Sequence, residues 1–284
     1  MYDPIRSTRK HTILLLLGAH FALTAVVNLV FFAGNTFRPL ASATGGLFTG
    51  SLFANLVFIG VLVVVIILRL GGLRLYDVGV IPRNIPQALL WTFGIWAGAQ
   101  VIQMIAGLLE HGAVIFHPDW ANPGFMIGMI LTQIFGNALF EEIAYRGFLF
   151  PQLYLRFTHL RDNPRGRVLA ALLISQGLFA LSHVPNRIYL GMTREEIIID
   201  LLMLLGWGTL YTFIYARTDN LFIVVGIHAL GNTPTNLFTT STLFSGDGAS
   251  ILIYTLVIIT LFGLPLFRAK IRERALSRGS PAPA

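Results

Sequence analysis

The sequence predicts an all-α fold: a polytopic membrane protein with eight transmembrane helices in one domain, residues 1–284, around a polar intramembrane cavity. Three observations carry this. The 284 residues are 55% hydrophobic and only 12% charged, against about 25% charged in soluble domains, and the mean hydropathy is +0.73. The apolar residues gather into eight stretches of roughly the length that crosses a bilayer core of about 30 Å. The basic residues between those stretches fall overwhelmingly on one of two alternating sides.

The first stretch, 12–32, follows Arg6, Arg9 and Lys10. It resembles a signal sequence but is too long for a signal core and lacks a clean small-residue cleavage site, so it is expected to remain as an anchor. The second, 47–70, is largely aliphatic, and the third, 86–110, carries Gln100 and Gln103. A loop bracketed by Pro118 and Pro123 leads into the fourth, 124–150. A turn at Arg161-Asp162-Asn163-Pro164-Arg165-Gly166 leads into the fifth, 168–186. The sixth, 196–217, has Asp200 near one end and a run of Gly206, Trp207, Gly208 and Tyr211, which suggests either close packing or a lateral opening. The seventh, 220–237, is the least hydrophobic and contains His228, Asn232 and Asn236. The eighth, 249–267, precedes a basic tail, 268–284, whose end, Gly279 to Ala284, is expected to be disordered.

Sixteen of the 20 Lys and Arg residues lie on one side of this arrangement, and only Arg38, Arg187 and Arg194 lie on the other; Arg146 is inside the fourth stretch. The positive-inside rule then places both termini in the cytoplasm and requires an even number of crossings. The net charge of +7 is accounted for by these loops, with no nucleic-acid partner implied; the partner expected from composition is the lipid bilayer itself. The chain has no cysteine, which removes disulfides, a thiol nucleophile, a cysteine metal site and a prenylation box on the chain itself. No internal repeat points to an inverted-repeat transporter.

The chemistry is concentrated in three stretches. Residues four apart share a helix face, so Gln133, Asn137, Glu141 and Tyr145 form one stripe, with the Glu142 and Arg146 pair beside it. An acidic residue at the bilayer centre costs roughly 2.5–3.5 kcal/mol. Glu142 and Arg146 are tolerable there as a structural ion pair whose charges neutralise each other. Glu141 has no such neighbour in sequence and suits a general base. Phe179 and His183 are four apart in the fifth stretch, with Gln176 a turn earlier; a lone buried histidine is more often structural, so His183 gains meaning only from its company. In the seventh, His228, Asn232 and Asn236 form another stripe. Asparagines can simply bind helices together; aligned with a histidine they suggest a shared polar cavity, and both side chains can stabilise an oxyanion. His20, Asn28 and Asn55 read as interhelical hydrogen-bonding groups. No Gly-x-Ser-x-Gly elbow, His-Glu-x-x-His helix or Walker-type loop is present. A carboxylate, two imidazoles and an amide remain, enough to activate water and stabilise a tetrahedral oxyanion. Buried Glu and His also build proton relays, so a proton-coupled transporter is the alternative reading from a different class.

In order along the chain, Glu141-Glu142-x-x-x-Arg146, Phe179-x-x-x-His183 and His228-x-x-x-Asn232 resemble the motifs of the CPBP family, which contains the type II CAAX prenyl endopeptidases and many prokaryotic relatives linked to bacteriocin processing or immunity. The resemblance covers the helices of 124–240. It implies an intramembrane endopeptidase in which Glu141 activates the attacking water with help from His183, His228 and Asn232 form the oxyanion hole, and Glu142 and Arg146 hold the first carboxylate and its helix. It further implies a prenylated or membrane-bound protein or peptide as substrate, with removal of a C-terminal tripeptide, and a plasma membrane of a prokaryote as the location. No cofactor is expected from the glutamate-dependent chemistry; the alternative is zinc held by Glu141, His183 and His228, with an open fourth position. A non-catalytic immunity protein of the same fold is a third reading. Depth sets one tension: at 1.5 Å per residue, Glu141 and His228 fall in the cytoplasmic half, whereas His183, about 22 Å into its stretch, lies too deep unless that helix begins earlier or tilts.

Overall fold

Polar caps and prolines decide where the helices begin. The Thr49 hydroxyl accepts from Leu52 N–H, Asn122 from Phe125, Asn163 from Gly166, and Asn220 from Phe222, while Thr193 and Glu196 close a reciprocal capping box. Each satisfies a backbone donor that a helix start leaves unpaired. Pro123 and Pro164 stand in the first turn, where a missing N–H costs nothing. The computed structural model describes residues 6–157, 160, 163–240, 244 and 246–263. Among them the architecture is helical: α1 (Lys10–Phe32), α2 (Arg38–Ala43), α3 (Gly50–Leu70), α4 (Pro82–His111), α5 (Pro123–Arg156), α6 (Pro164–Tyr189), α7 (Arg194–Thr218), α8 (Leu221–Asn232) and α9 (Gly248–Gly263). The basic tail 268–284, the end of the expected eighth stretch, and Arg161 and Asp162 of the expected turn lie outside the described residues.

Six of these helices are long and apolar enough to cross a membrane: α1, α3, α4, α5, α6 and α7. Large apolar side chains such as Leu14, Leu90, Leu109 and Leu202 are exposed on their outer faces, as lipid-facing surfaces require and aqueous ones avoid. Inside, one apolar cluster joins α1, α3 and α5 through Leu16, Leu62, Ile67, Phe140 and Phe148. A second joins α4, α7, α8 and α9 through Ile95, Ile214, Ile227 and Val257.

The seventh stretch departs from expectation. Its helix stops at Asn232, 12 residues long, or about 18 Å, too short to cross a bilayer alone. Pro234 drives Thr233 into extended backbone, φ −144° and ψ 91°. The chain then continues without helix, Thr235 turning at φ 52°, to the loop between α4 and α5, where His117 N–H donates to Leu237 C=O at 2.9 Å and Thr239 N–H to Ile115 C=O at 2.8 Å. Asn236 is therefore off the helix and not in line with His228 and Asn232; its side chain accepts from Gln103 Nε2 at 2.8 Å.

α5 is wound unevenly. Thr132–Ala138 and Glu142–Leu149 are π-helical, with only Leu139–Glu141 between them in the α form. The wider turn shifts the phase of the four-residue stripe. Gln133, Asn137 and Glu141 share the cavity wall, but Tyr145 turns into the core, where its hydroxyl pairs with His20 Nδ1 at 2.9 Å. Asn28 and Asn55 also bond between helices, Asn28 to Asn186 at 2.8 Å and Asn55 to Asn137 at 2.7 Å.

Candidate active site

Glu142 and Arg146 lie in the π-wound part of α5 and have no solvent exposure. Arg146 NH1 donates to Glu142 Oε1 at 3.2 Å, and the guanidinium stacks 4.3 Å from the Phe179 ring centroid. Room for it comes from α7: a side chain at Gly208 would fall 2.8 Å from Arg146 NH2 and 2.6 Å from Gln176 Oε1. Gly208 is thus the close-packing residue in the glycine and aromatic run, whereas Gly206 faces open space.

His228 enters from α8, stacked on Tyr211 of α7 with ring centroids 4.4 Å apart. Its Nδ1 is 2.7 Å from Glu142 Oε1. Because Glu142 is the ion-pair partner of Arg146, its carboxylate accepts, and Nδ1 of His228 carries the hydrogen. His183 sits where α6 is interrupted between Leu181 and Val184, because Pro185 has no N–H to continue the helix ladder. Its Nδ1 is 2.9 Å from the Phe179 carbonyl, which can only accept, so this Nδ1 also carries the hydrogen. Both rings consequently turn Nε2 toward Glu141: His183 Nε2 is 3.7 Å from Oε1 and His228 Nε2 is 3.6 Å from Oε2. These separations exceed a hydrogen bond. Each pairs a ring nitrogen with a different carboxylate oxygen. A donor with two hydrogens, such as water, complements this set of acceptors.

The structure therefore brings Glu141, His183 and His228 together, with Glu142 and Arg146 directly behind. α6 starts at Pro164, earlier than the expected 168, which lengthens the helix before His183 and leaves the tension over depth in place. Asn232 stands at the exposed end of α8, its Nδ2 donating to Gln133 Oε1 at 3.2 Å. Gln133 Oε1 also accepts from Asn137, whose Oδ1 accepts from Asn55, so a row of amides runs along the wall beside Glu141. Sequence spacing found Gln133 and Asn137 but not their link to α3 and α8, and it missed Tyr254, whose hydroxyl meets that of Tyr211 at 2.5 Å. No local signal marks Tyr254; only packing of α9 against α7 supplies it.

Glu141, His183, His228, Asn232, Gln133, Asn137, Tyr211 and Tyr254 line one cavity of about 750 Å³, behind whose wall Glu142 and Arg146 are fully buried. Its lining takes the second halves of α1 and α6 (His20 to Phe32, Phe179 to Arg187), the first half of α3 (Ser51 to Phe58) and α7 from Asp200 past its midpoint to Tyr211. These are the ends opposite the basic loops. Phe32, Ser51 and Asn186 also line an adjoining shallower groove at that end. Among the described residues no group of three or more His, Asp or Glu side chains is arranged to hold a metal ion, in keeping with two imidazoles that address different oxygens of Glu141.

Residues 123–234 match the family model described as type II CAAX prenyl endopeptidase Rce1-like. No curated protein and no solved structure matches the chain. The matched stretch begins at the first residue of α5, ends two residues beyond α8, and contains Glu141, Glu142, Arg146, His183, His228 and Asn232. This helical core is similar to the type II CAAX prenyl endopeptidase Rce1-like family over the matched residues 123–234.

Proposed function

We propose that the protein is an intramembrane endopeptidase of the CAAX type, in which Glu141 activates water for attack on a peptide bond. The observation that carries the reading is the convergence of two imidazole Nε2 atoms on the two oxygens of one carboxylate, inside a cavity of a helical membrane protein. A water held there gives one proton to Glu141 and attacks the scissile carbonyl carbon as hydroxide, with His183 orienting it. The carbonyl oxygen gains the negative charge, and the second Asn232 Nδ2 hydrogen is a donor for it. His228, with Nδ1 committed to Glu142, donates from Nε2 only as an imidazolium, whose charge Glu142 at 2.7 Å balances. Collapse of the intermediate breaks the C–N bond, and the proton held by Glu141 passes to the leaving amine.

Eight crossings complete the proposal, with α8 and the non-helical 233–240 segment together forming the seventh, α9 the eighth, and both termini cytoplasmic. The substrate class is a membrane-bound or prenylated peptide that loses its C-terminal tripeptide. Incubating purified protein with a farnesylated CAAX peptide tests this: cleavage is expected, with a fall of about a thousandfold or more in Glu141→Gln, which keeps the shape and loses the base. Cleavage of unprenylated controls alone overturns the CAAX assignment, and proton-coupled uptake lost in Glu141→Gln without any cleavage points to a transporter. No step here uses zinc. Stoichiometric zinc in active protein, with activity lost on its removal and restored on its return, would overturn that part.

A further inference from the structure

The cavity contains a second polar cluster that the water-activating site does not use. Arg187, on the last turns of α6, donates from Nε to Asp200 Oδ2 at 2.7 Å and from NH2 to Asp200 Oδ1 at 3.4 Å. Its NH1 donates to Asn186 Oδ1 at 2.7 Å, and Asn186 is itself tied to Asn28 of α1. Three helices thus hold one guanidinium. Both Arg187 and Asp200 line the same cavity as Glu141, with side chains 18% and 29% exposed.

We infer that Arg187 recognises a carboxylate of the substrate, the C-terminal one in a reaction that releases a tripeptide; this deepens the proposed peptidase reading and rests on it. The hydrogen-bond pattern is the argument. Asp200 occupies the side fork of the guanidinium, Nε with NH2, and thereby fixes its plane. One hydrogen on NH1 and one on NH2 remain, two donors for a further acceptor such as a carboxylate. A guanidinium already locked by a partner loses little freedom on binding.

Position agrees with this use. Arg187 N–H donates to His183 C=O at 3.1 Å, so the arginine lies one helical turn, about 6 Å, beyond the imidazole beside Glu141. Three extended residues span about 10 Å, which the turn and the length of an arginine side chain together match. The amide row of Gln133 and Asn137 lines the same cavity and offers donors and acceptors to a peptide backbone. A peptide lying in the cavity would then find both amides and a cation on its walls.

The test compares three farnesylated CAAX peptides: free acid, C-terminal amide, and an amide whose last residue is Glu. Cleavage is measured with the wild-type protein and binding with Glu141→Gln, in each case alone and combined with Arg187→Ala or Arg187→Lys. The expected result is a preference for the free acid over the amide of roughly ten- to a hundredfold, the worth of a charge-assisted pair. Arg187→Ala abolishes the preference while amide binding persists, and Arg187→Lys keeps only part of it. The Glu-ended amide separates a side-chain carboxylate from the terminal one: binding as tight as the free acid overturns the terminal assignment. Equal cleavage of acid and amide by the wild type overturns the inference and leaves the peptidase standing. Acid-selective, Arg187-dependent binding without any cleavage does the reverse. Variants that weaken acid and amide alike make the Arg187–Asp200 pair a purely structural tie and overturn the inference; if Arg187→Ala fails to fold, the Arg187→Lys comparison decides.

Discussion

Adjacent glutamates in α5 hold different environments one residue apart. Glu142 is fully buried and shared between Arg146 and His228, whereas Glu141 is 17% exposed on the cavity wall. The sequence separated them through a single spacing, the four residues from Glu142 to Arg146. It could not find the second partner of Glu142, because His228 is 86 positions away and no local pattern joins them. Removing one member of a buried ion pair leaves the other charge stranded, at a cost of about 3–5 kcal/mol. Arg146→Ala is therefore expected to lower the thermal unfolding midpoint in detergent sharply, and Glu141→Gln to leave it nearly unchanged. A midpoint for Arg146→Ala within a degree or two of wild type would show that Glu142 finds another partner.

Among the elements, α8 and the non-helical 233–240 segment bear most directly on the membrane reading. Open backbone at membrane depth survives only where protein satisfies its polar groups. Here α4 and its following loop do so. Gln100 Oε1 accepts from Leu237 N–H at 2.7 Å, Trp96 Nε1 donates to Thr235 C=O at 3.2 Å, and Trp120 Nε1 donates to Asn236 C=O at 2.9 Å. This explains Gln100 and Gln103, polar residues within an apolar helix: they bond the neighbouring segment. Gln100→Leu strands the Leu237 N–H and is expected to cost about 1–3 kcal/mol. Hydrogen exchange should show faster exchange confined at first to 233–240; unchanged protection there would deny Gln100 this role. Most helix extents were legible, since caps and apolar runs are local. The end of α8 was readable too, in Pro234 and the polar residues around it.

For the whole molecule, sidedness is the open consequence. The cavity lies toward the ends of the helices opposite the basic loops. With cytoplasmic termini, a substrate tail then reaches Glu141 from the non-cytoplasmic side. The absence of cysteine makes this simple to check with an impermeant thiol reagent on intact cells. Ala113→Cys, exposed in the loop after α4, is expected to label from outside. Arg165→Cys, exposed at the start of α6, should label only after lysis. The opposite pattern inverts the protein in the bilayer and turns the cavity toward the cytoplasm. Taken alone, the sequence determined the helical membrane class, the approximate extents of six long helices and the identity of the polar residues within them, because hydropathy, caps and four-residue spacing act over short range. Only the tertiary structure decided how those residues combine: which glutamate meets which imidazole, where Tyr145 and Asn236 turn away, and that Arg187 joins the cavity. Those outcomes depend on helix phase, altered by the π-wound turns of α5, and on contacts between helices far apart in the chain, neither of which local pattern encodes.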